Sequence, residues 1–352
     1  MPSPAEIRRR LLDWYDLNAR TLPWRAGPKA KRRTDPYHVW LSEVMLQQTT
    51  VPHATPYFLK FLKAWPTVTA LAAAPDAEVM AAWAGLGYYA RARNLLACAR
   101  AVAARGGAFP DQEDALRALP GVGAYTAAAV AAIAFDRPAN VVDGNVERVI
   151  ARLYAVESPL PGAKPELKAL AAALVTDQRP GDWAQALMDL GAVVCRPKSP
   201  SCEACPLAKG CLARLRGDAE SYPRKAAKAE RPRRHGAAFV ITRGDQIALV
   251  RRPPKGLLGG MLALPTTDWR SDAWSSSEVV GAAPMKLAWR QAGEIEHVFT
   301  HFALTLAVWR AEGHGGAEGL IWSPRSDLQG LPSVFLKAAR VGLELRPRGS
   351  RW

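Results

Sequence analysis

The chain has 352 residues and a formal net charge of +15, from 47 Lys and Arg against 32 Asp and Glu. This length suggests two domains. The charge favours a polyanionic partner, nucleic acid first, with basic residues that serve solubility alone as the alternative. No run of roughly 18 apolar residues could cross a membrane. Residues 1–20 lack an apolar signal core and predict an amphipathic helix, so we expect an intracellular, cytoplasmic protein. We also expect a monomer.

Helix-favouring sequence extends from residue 1 to about 212, broken by short Gly and Pro turns. Residues 213–235 hold eight Lys or Arg against three Asp or Glu without apolar periodicity. They predict an exposed basic linker, which is either a plain connector or a DNA contact. From residue 236 onward the pattern predicts two β-runs joined at 244–245, another strand over 296–310 and a helix over 334–345. The predicted fold class is therefore a mostly α domain (1–212) followed by an α+β domain (236–352).

Residues 112–134 have the pattern of a helix–hairpin–helix element. One helix is predicted to end near Ala118, and a second to begin at about Ala124. Between them, Gly121 and Gly123 permit a tight turn with exposed backbone N–H groups. These donors lie at the positive end of the second helix, which favours a DNA phosphate without reading sequence. An ordinary helix–helix turn is the alternative.

Four of the five cysteines fall together, spaced Cys-x6-Cys-x2-Cys-x5-Cys from residue 195 to 211. In an intracellular protein such a group predicts a metal site and not a set of disulfides. One CxxC pair with a single cysteine on either side suits an iron–sulfur cubane better than a zinc ribbon, and structural zinc is the alternative. Cys98 stands alone and is predicted to be an inert core residue.

This cysteine spacing resembles that of the endonuclease III and MutY group of helix–hairpin–helix DNA repair glycosylases. The stretch SEVMLQQT (42–49) is similar residue for residue to the MutY motif, and LPWR (22–25) matches a second motif. Residues 236–350 resemble, more weakly, the Nudix-like domain that MutY carries and endonuclease III lacks. The resemblance implies a 4Fe-4S cluster on Cys195, Cys202, Cys205 and Cys211. It also implies nucleoid association and removal of adenine paired with 8-oxoguanine or guanine in double-stranded DNA.

The same resemblance implies the catalytic roles. Glu43 is the expected general acid, since apolar neighbours should desolvate it and raise its pKa. Asp143 is expected to stabilise the oxocarbenium ion, with a helix N-cap as the alternative. Tyr125 occupies the position where bifunctional relatives carry a Schiff-base lysine, so hydrolysis without efficient strand cleavage is expected. In the family, a tyrosine here can hydrogen-bond the catalytic aspartate. Asn145 is grouped with these catalytic residues.

A glycosylase must extrude its target base and fill the gap. The residues that resemble the family's DNA-contacting and pocket-lining positions in the first domain are Trp24, Arg25, Leu46, Gln48, Tyr88 and Gln185. For Gln48 and Tyr88, turn or core packing is the alternative. The loop after Arg25 is longer than is typical of the family, and its Lys29, Lys31, Arg32 and Arg33 are either phosphate contacts or merely solvated.

In the second domain, Phe299, Thr300 and His301 correspond to the family's Phe-Ser-His loop, which checks the partner base. Thr300 keeps a hydroxyl that can donate and accept a hydrogen bond, and a plain strand edge is the alternative. No Nudix hydrolase box is present in the sequence, so we expect binding and not pyrophosphate hydrolysis.

Two other functions remain to be weighed. One is a thymine-glycol type of glycosylase with lyase activity, against which Tyr125 and the second domain argue. The other is a catalytically silent iron–sulfur DNA sensor, against which the presence of both Glu43 and Asp143 argues.

Overall fold

The computed structural model describes residues 2–28, 30, 34–226, 231–253, 256–299, 301–313 and 318–344. The chain forms two compact units, residues 1–227 and 228–352. The first is helical and the second contains a mixed sheet, which confirms the predicted fold class. Among the described residues, no helix is long and apolar enough to span a bilayer.

The helical unit is built around one alanine-rich helix. Its helices are α1 (Pro4–Asn18), α2 (Pro36–Leu46), α3 (Val51–Ala64), α4 (Val68–Ala73), α5 (Asp76–Trp83), α6 (Ala90–Ala103), α7 (Glu113–Arg117), α8 (Ala124–Phe135), α9 (Gly144–Tyr154), α10 (Lys164–Ala172), α11 (Pro180–Asp189) and α12 (Leu212–Arg216). Every residue of α8 from Thr126 to Ala134 is buried, and α2, α7 and α11 pack against it. Small side chains allow this close approach: a Cβ on Gly181 of α11 would lie 2.6 Å from the Ala132 carbonyl oxygen.

The hairpin between α7 and α8 forms as predicted, with α8 beginning at Ala124. Gly121 has φ +71°, and a Cβ there would lie 2.5 Å from the Asn94 Cβ. Both the backbone conformation and the lack of space therefore require glycine. Gly123 is the N-cap of α8 and supplies no side-chain cap, so the first N–H groups of α8 have no side-chain acceptor from that position.

The second unit contains β1 (Arg233–Arg243), β2 (Gln246–Arg251), β3 (Leu262–Ala263), α13 (Ser276–Gly281), β4 (Arg290–Val298), β5 (Ala303–Glu312), β6 (Ile321–Pro324) and α14 (Ser333–Gly342). The strand order is β3-β2-β1-β5-β4, and β6 pairs with β2. Strands β1 and β5 are parallel, whereas the other pairs are antiparallel. Helix α14 covers one face of the sheet and buries Phe335 against it.

Two predicted boundaries differ from the structure. The single strand expected over 296–310 is divided between β4 and β5, with the Phe299 amide donating to the Phe302 carbonyl at 2.9 Å. The basic linker expected over 213–235 is shorter, because residues 213–226 belong to the helical unit. Within them Tyr222 is 1% exposed, and the Leu160 amide donates to the Arg224 carbonyl at 2.8 Å. The many charged residues suggested a solvated linker, but Arg216 and Arg224 in fact form ion pairs with Glu157 of the helical unit.

Candidate active site

A cavity of about 360 Å³ in the helical unit collects most of the predicted site residues. This volume lies in the range of ordinary small-molecule sites, roughly 300–1,000 Å³. The predicted residues that line it are Trp24, Arg25, Glu43, Leu46, Gln48, Tyr125, Asp143 and Asn145. They come from positions as far as 121 residues apart in sequence, from Trp24 to Asn145. Helix packing therefore brings the separate motifs to one place.

Glu43 is the buried carboxyl group of this cavity. It lies on α2 among buried neighbours and is 8% exposed. Burial raises its pKa to about 7, against the opposing effects of the Tyr125 hydrogen bond and the Arg25 charge. Part of the Glu43 population therefore carries a proton at neutral pH, as a general acid requires.

Tyr125 contacts a different carboxyl group from the one expected. Its hydroxyl donates to Glu43 Oε2 at 2.8 Å, whereas the family resemblance implied a bond to Asp143. Tyr125 lies in the first turn of α8, which packs against α2, so its side chain meets the carboxyl group of that helix. Desolvation, followed by the neighbouring Glu43 charge, raises the Tyr125 pKa well above its usual value. The hydroxyl thus stays protonated and acts as a donor.

Asp143 caps a helix and lines the cavity at the same time. Its Oδ1 accepts from the Val146 amide at 2.7 Å, which makes it the N-cap of α9. Its Oδ2 accepts from Asn145 Nδ2 at 3.0 Å. Both bonds fix the carboxyl group of Asp143 at the N-terminus of α9. The N-cap alternative is therefore compatible with a place in the site.

A chain of hydrogen bonds leads from Asp143 towards the cysteine-rich loop. Asn145 Oδ1 accepts from Arg148 Nη2 at 2.8 Å. Arg148 also donates through Nε to the Cys195 carbonyl at 2.8 Å. The same guanidinium thus contacts the residue beside Asp143 and the backbone of the first clustered cysteine.

Arg25 is held at the edge of the cavity by an acid that sequence reasoning missed. Its Nη1 donates to Asp189 Oδ1 at 2.7 Å, and Arg20 Nε donates to the same oxygen at 2.6 Å. Asp189 is completely buried at the end of α11. An acidic residue within a buried helix was the signal that could have revealed Asp189, because a buried carboxylate needs a cationic partner. Trp24 is buried with its ring edge-on to Phe58, at 5.2 Å between centroids.

Two predicted residues, Tyr88 and Gln185, do not line the cavity. Gln48 lines it and has φ 56°, whereas Tyr88 is 63% exposed, has φ 49° and does not line it. Gln185 is buried in α11 and does not line it either. Its Nε2 donates to the Gly181 carbonyl at 3.2 Å, and its Oε1 is buried without a hydrogen-bond partner. Gln185 lies one helical turn before Met188, which does line the cavity.

The four clustered cysteines line a second, smaller cavity beneath α9 and α12. Arg152 is buried beside it and donates through Nη1 to Cys195 Sγ at 3.3 Å. Burial raises the pKa of Cys205 to about 12, and the other three thiols add to this effect. Among the described residues, no three His, Cys, Asp or Glu side chains are placed to hold one metal ion. Four thiols around one cavity are the donor set that an iron–sulfur cluster takes.

In the second unit, Phe299 packs on an aromatic surface. Its ring stacks on Trp269 at 5.7 Å between centroids and meets His297 at 4.6 Å. His301 is exposed. Thr300 lies outside the described residues, as do Lys29, Lys31, Arg32 and Arg33 of the basic loop. Trp269 has no counterpart among the sequence predictions, because no motif surrounds it.

Comparison with known proteins places both units in described families. Residues 41–174 match the HhH-GPD superfamily of base excision DNA repair proteins, and residues 237–339 match the NUDIX domain. The chain is 37% identical to the human adenine DNA glycosylase over 86% of its own length and 66% of that protein. It is 36% identical to the rat adenine DNA glycosylase, over 90% and 74% of the two chains. It is 30% identical to the Schizosaccharomyces pombe adenine DNA glycosylase, over 97% of this chain and 90% of that protein.

The helical unit also resembles solved structures. A thermostable thymine-DNA glycosylase superposes with a TM-score of 0.54 and 31% identity, covering 60% of this chain and 97% of that one. Endonuclease III in a non-covalent DNA complex superposes with a TM-score of 0.50 and 24% identity, covering 62% and 99%. The second likeness shows a shared fold alone.

Proposed function

Because the chain belongs to the adenine DNA glycosylase family, we propose that it hydrolyses the N-glycosidic bond of adenine paired with 8-oxoguanine or guanine in double-stranded DNA, as a step of base excision repair. The observation that carries the proposal is that Glu43 and Asp143 line one cavity in different environments. Glu43 is buried with a raised pKa, and Asp143 sits at a helix N-terminus. Two acids whose surroundings differ in this way can take separate acid and charge-stabilising roles.

The reaction follows from these two environments. Protonated Glu43 donates its proton to a ring nitrogen of adenine, which makes the base a better leaving group. The bond between that base and C1′ then breaks, and the electron pair leaves with adenine. The carboxylate of Asp143 stabilises the oxocarbenium ion left on the sugar. Water adds to C1′, loses a proton and leaves an abasic site.

Tyr125 and Gln185 bear on two expected properties of the enzyme. Tyr125 explains the expected absence of lyase activity, and Gln185 offers a contact for adenine. A tyrosine cannot form an imine with the sugar, and none of the described residues that line the cavity is a lysine. Strand cleavage through a Schiff base is therefore not expected. The buried Oε1 of Gln185 has no hydrogen-bond partner and is an acceptor of the kind that the exocyclic amine of adenine would satisfy.

DNA binding is proposed at the hairpin, the wedge residues and the second unit. The first N–H groups of α8, next to Gly121 and Gly123, are suited to a backbone phosphate. Gln48 and Tyr88 are proposed to enter the gap left by the extruded base. The surface of Phe299 and His301, with Thr300, is proposed to contact the partner base. We also propose that the protein is a monomer and, since it acts on chromosomal DNA, that it is associated with the nucleoid.

The four cysteines are proposed to hold a 4Fe-4S cluster, since four thiols, the donor set of such a cluster, surround one cavity. When bound, such a cluster supplies a covalent cross-link between the loop and the helical body. Cys195, Cys202, Cys205 and Cys211 would be its ligands. Arg152 would fix Cys195 through its bond to Sγ.

The test is a cleavage assay on duplexes that carry adenine opposite 8-oxoguanine, guanine or thymine. Half of each reaction is treated with alkali, which cuts the strand at abasic sites. Strand cleavage that needs alkali, and that is fastest opposite 8-oxoguanine, supports the proposal. Nicking without alkali would instead indicate a lyase. Binding without cleavage would indicate a DNA sensor.

A further inference from the structure

Two short segments beside the cavity hold non-glycine residues in the left-handed backbone region. The first segment, residues 46–49, follows α2 and contains Gln48 at φ 56°. The second, residues 85–88, precedes α6 and contains Tyr88 at φ 49°. We refer to these as the wedge segments. Such backbone conformations are unfavourable for side-chain-bearing residues and persist where surrounding groups hold them in place.

One arginine contacts both wedge segments. Arg91, in the first turn of α6, donates through Nη1 to the Val44, Met45 and Gln47 carbonyls at 3.1, 3.2 and 2.5 Å. Its Nη2 donates to the Leu86 and Gly87 carbonyls at 3.0 and 3.4 Å. Carbonyls at the end of α2 have no partner within the helix, so the guanidinium also satisfies those groups.

The positions of these carbonyls are informative. The Gln47 carbonyl belongs to the peptide unit directly before Gln48, and the Gly87 carbonyl belongs to the one directly before Tyr88. Arg91 therefore binds the peptide whose orientation sets the backbone of each left-handed residue. The Arg91 guanidinium also lies over the Tyr88 ring, at 5.4 Å from its centroid, which is within the range of a cation–π contact.

Other side chains hold the second segment but leave the first untouched. Trp83 Nε1 donates to the Gly87 carbonyl at 3.0 Å, and His53 Nε2 lies 3.2 Å from the Gly85 carbonyl. Neither of these bonds reaches residues 46–49. The described contacts thus make Arg91 the side chain that connects the two segments through one rigid, planar group.

We propose that Arg91 is a positioning residue that holds the two wedge segments as one unit, so that Gln48 and Tyr88 enter the DNA together. The inference rests on the proposed function, because the wedge role of Gln48 and Tyr88 is part of that function. Extruding a base costs unstacking and unpairing energy. If the wedge segments are already ordered in the free protein, they lose less conformational entropy when they bind DNA. The state with the base extruded is therefore populated more.

The test compares Arg91→Lys with Arg91→Gln and uses Arg100→Gln as the matched control. Arg100 lies on the same helix and donates to the Ala72 and Ala74 carbonyls, away from the wedge segments. Lysine keeps the charge of Arg91 but cannot span carbonyls on two segments. Base extrusion is measured from the fluorescence of 2-aminopurine beside a non-cleavable 2′-fluoroadenosine opposite 8-oxoguanine, at saturating protein.

Both Arg91 variants should reduce the extrusion signal and lower kcat/KM by about tenfold or more, a loss of the size that follows from roughly 1.4 kcal/mol. The pH dependence of the rate, which Glu43 sets, should not move. Arg100→Gln should change neither quantity, although it lowers the unfolding temperature. An undiminished extrusion signal in folded Arg91→Lys would overturn the proposal.

Double-mutant cycles give a second readout. In a background with Gln48→Ala and Tyr88→Ala, the further loss from Arg91→Lys should shrink to less than about twofold, because the side chains that it positions are gone. Fully additive losses would mean that Arg91 acts elsewhere.

Hydrogen exchange of the free protein separates this inference from the proposed function. Amides of both wedge segments should exchange faster in Arg91→Lys than in the wild type. Unchanged exchange rates would show that Arg91 does not hold the two segments in place. If the wild type failed to cleave adenine, the proposed function would fall, whereas the exchange result would still decide whether Arg91 joins the segments.

Discussion

The cavity of the helical unit and the Phe299 surface of the second unit place their functional side chains in opposite environments. Glu43 and Tyr125 are buried and hydrogen-bonded to each other, and burial raises the Glu43 pKa despite the opposing effect of that bond. Phe299 stacks on Trp269, and His301 beside it is exposed. Bond cleavage needs burial that changes the acidity of a group, whereas contact with a partner base needs a surface that DNA can reach. Substitutions in the cavity should therefore affect the chemical step, and those on the Phe299 surface should affect selectivity.

The largest effect is expected from Asp143→Asn. The carboxylate charge is lost while the shape and the capping ability are kept, since asparagine is an equally good N-cap. The single-turnover rate on adenine opposite 8-oxoguanine should fall by roughly 10³-fold or more. Lesion binding and the unfolding temperature should remain close to those of the wild type. Activity equal to the wild type would show that the charge of Asp143 has no part in the reaction.

Removal of a clustered thiol should affect the stability of the helical unit first. Cys211→Ser should eliminate the bound iron, measured with a colorimetric iron assay and absorbance near 410 nm (about where thiolate-to-iron charge transfer is expected). Loss of a structural metal centre typically costs more than about 4 kcal/mol of unfolding free energy. Cys98→Ser is the control, because Cys98 is buried in α6 and does not line the cavity that the other four cysteines share. Wild-type iron content in Cys211→Ser would contradict the ligand assignment.

Glu43→Gln tests the acid role directly. General acid catalysis contributes about 10² to 10⁴ in rate, so a loss of that size is expected. With the pKa of Glu43 raised to about 7, the wild-type rate should decline as pH increases above this value, because the protonated fraction falls. The glutamine variant should lack that decline in a pH series of single-turnover rates. An identical alkaline decline in the variant would assign it to another group.

Glu43→Gln should also show how burial of the ionised Glu43 carboxylate lowers the free energy of unfolding. Its pKa in the folded protein, about 7, lies above its ordinary value of 4.5. Its contribution to stability is therefore fully present below pH 4.5 and is lost as pH rises through about 7. Glutamine cannot ionise, so above pH 7 the variant should be more stable by up to about 3 kcal/mol, less the weakened bond to Tyr125. Denaturant unfolding at acid and alkaline pH measures the difference. Equal differences at both pH values would contradict the raised pKa.

The smallest effect is expected on the surface of the second unit. Phe299→Ala should lower the preference for 8-oxoguanine over guanine by about tenfold, since a well-placed aromatic contact contributes roughly 1 kcal/mol or a little more. The rate at saturation should change little. Trp274→Ala is the control, because Trp274 packs under Arg270 elsewhere in the same unit. A large loss of the single-turnover rate in Phe299→Ala would break the division between chemistry and selectivity.

Features encoded over a few neighbouring residues could be predicted from the sequence. The hairpin glycines, the start of α8 at Ala124 and the β1–β2 turn all lie where local rules place them. The packing of residues 213–226 could not be predicted, because their charge run gives no sign that Tyr222 is buried. The break between β4 and β5 was missed because alternation continues through the apolar residues on both sides of it.

By itself, the sequence determined which residue types are available for catalysis and at what spacing: two carboxyl groups, a tyrosine in place of a lysine, and four cysteines within 17 residues. Tertiary structure alone decided that Tyr125 bonds Glu43, that burial raises the Glu43 pKa, and that Asp189 and Arg91 hold the edges of the cavity. The physical reason is distance along the chain. Caps and turns depend on hydrogen bonds within a few residues, whereas desolvation and contacts between residues 43 and 125 exist only after separate helices have packed.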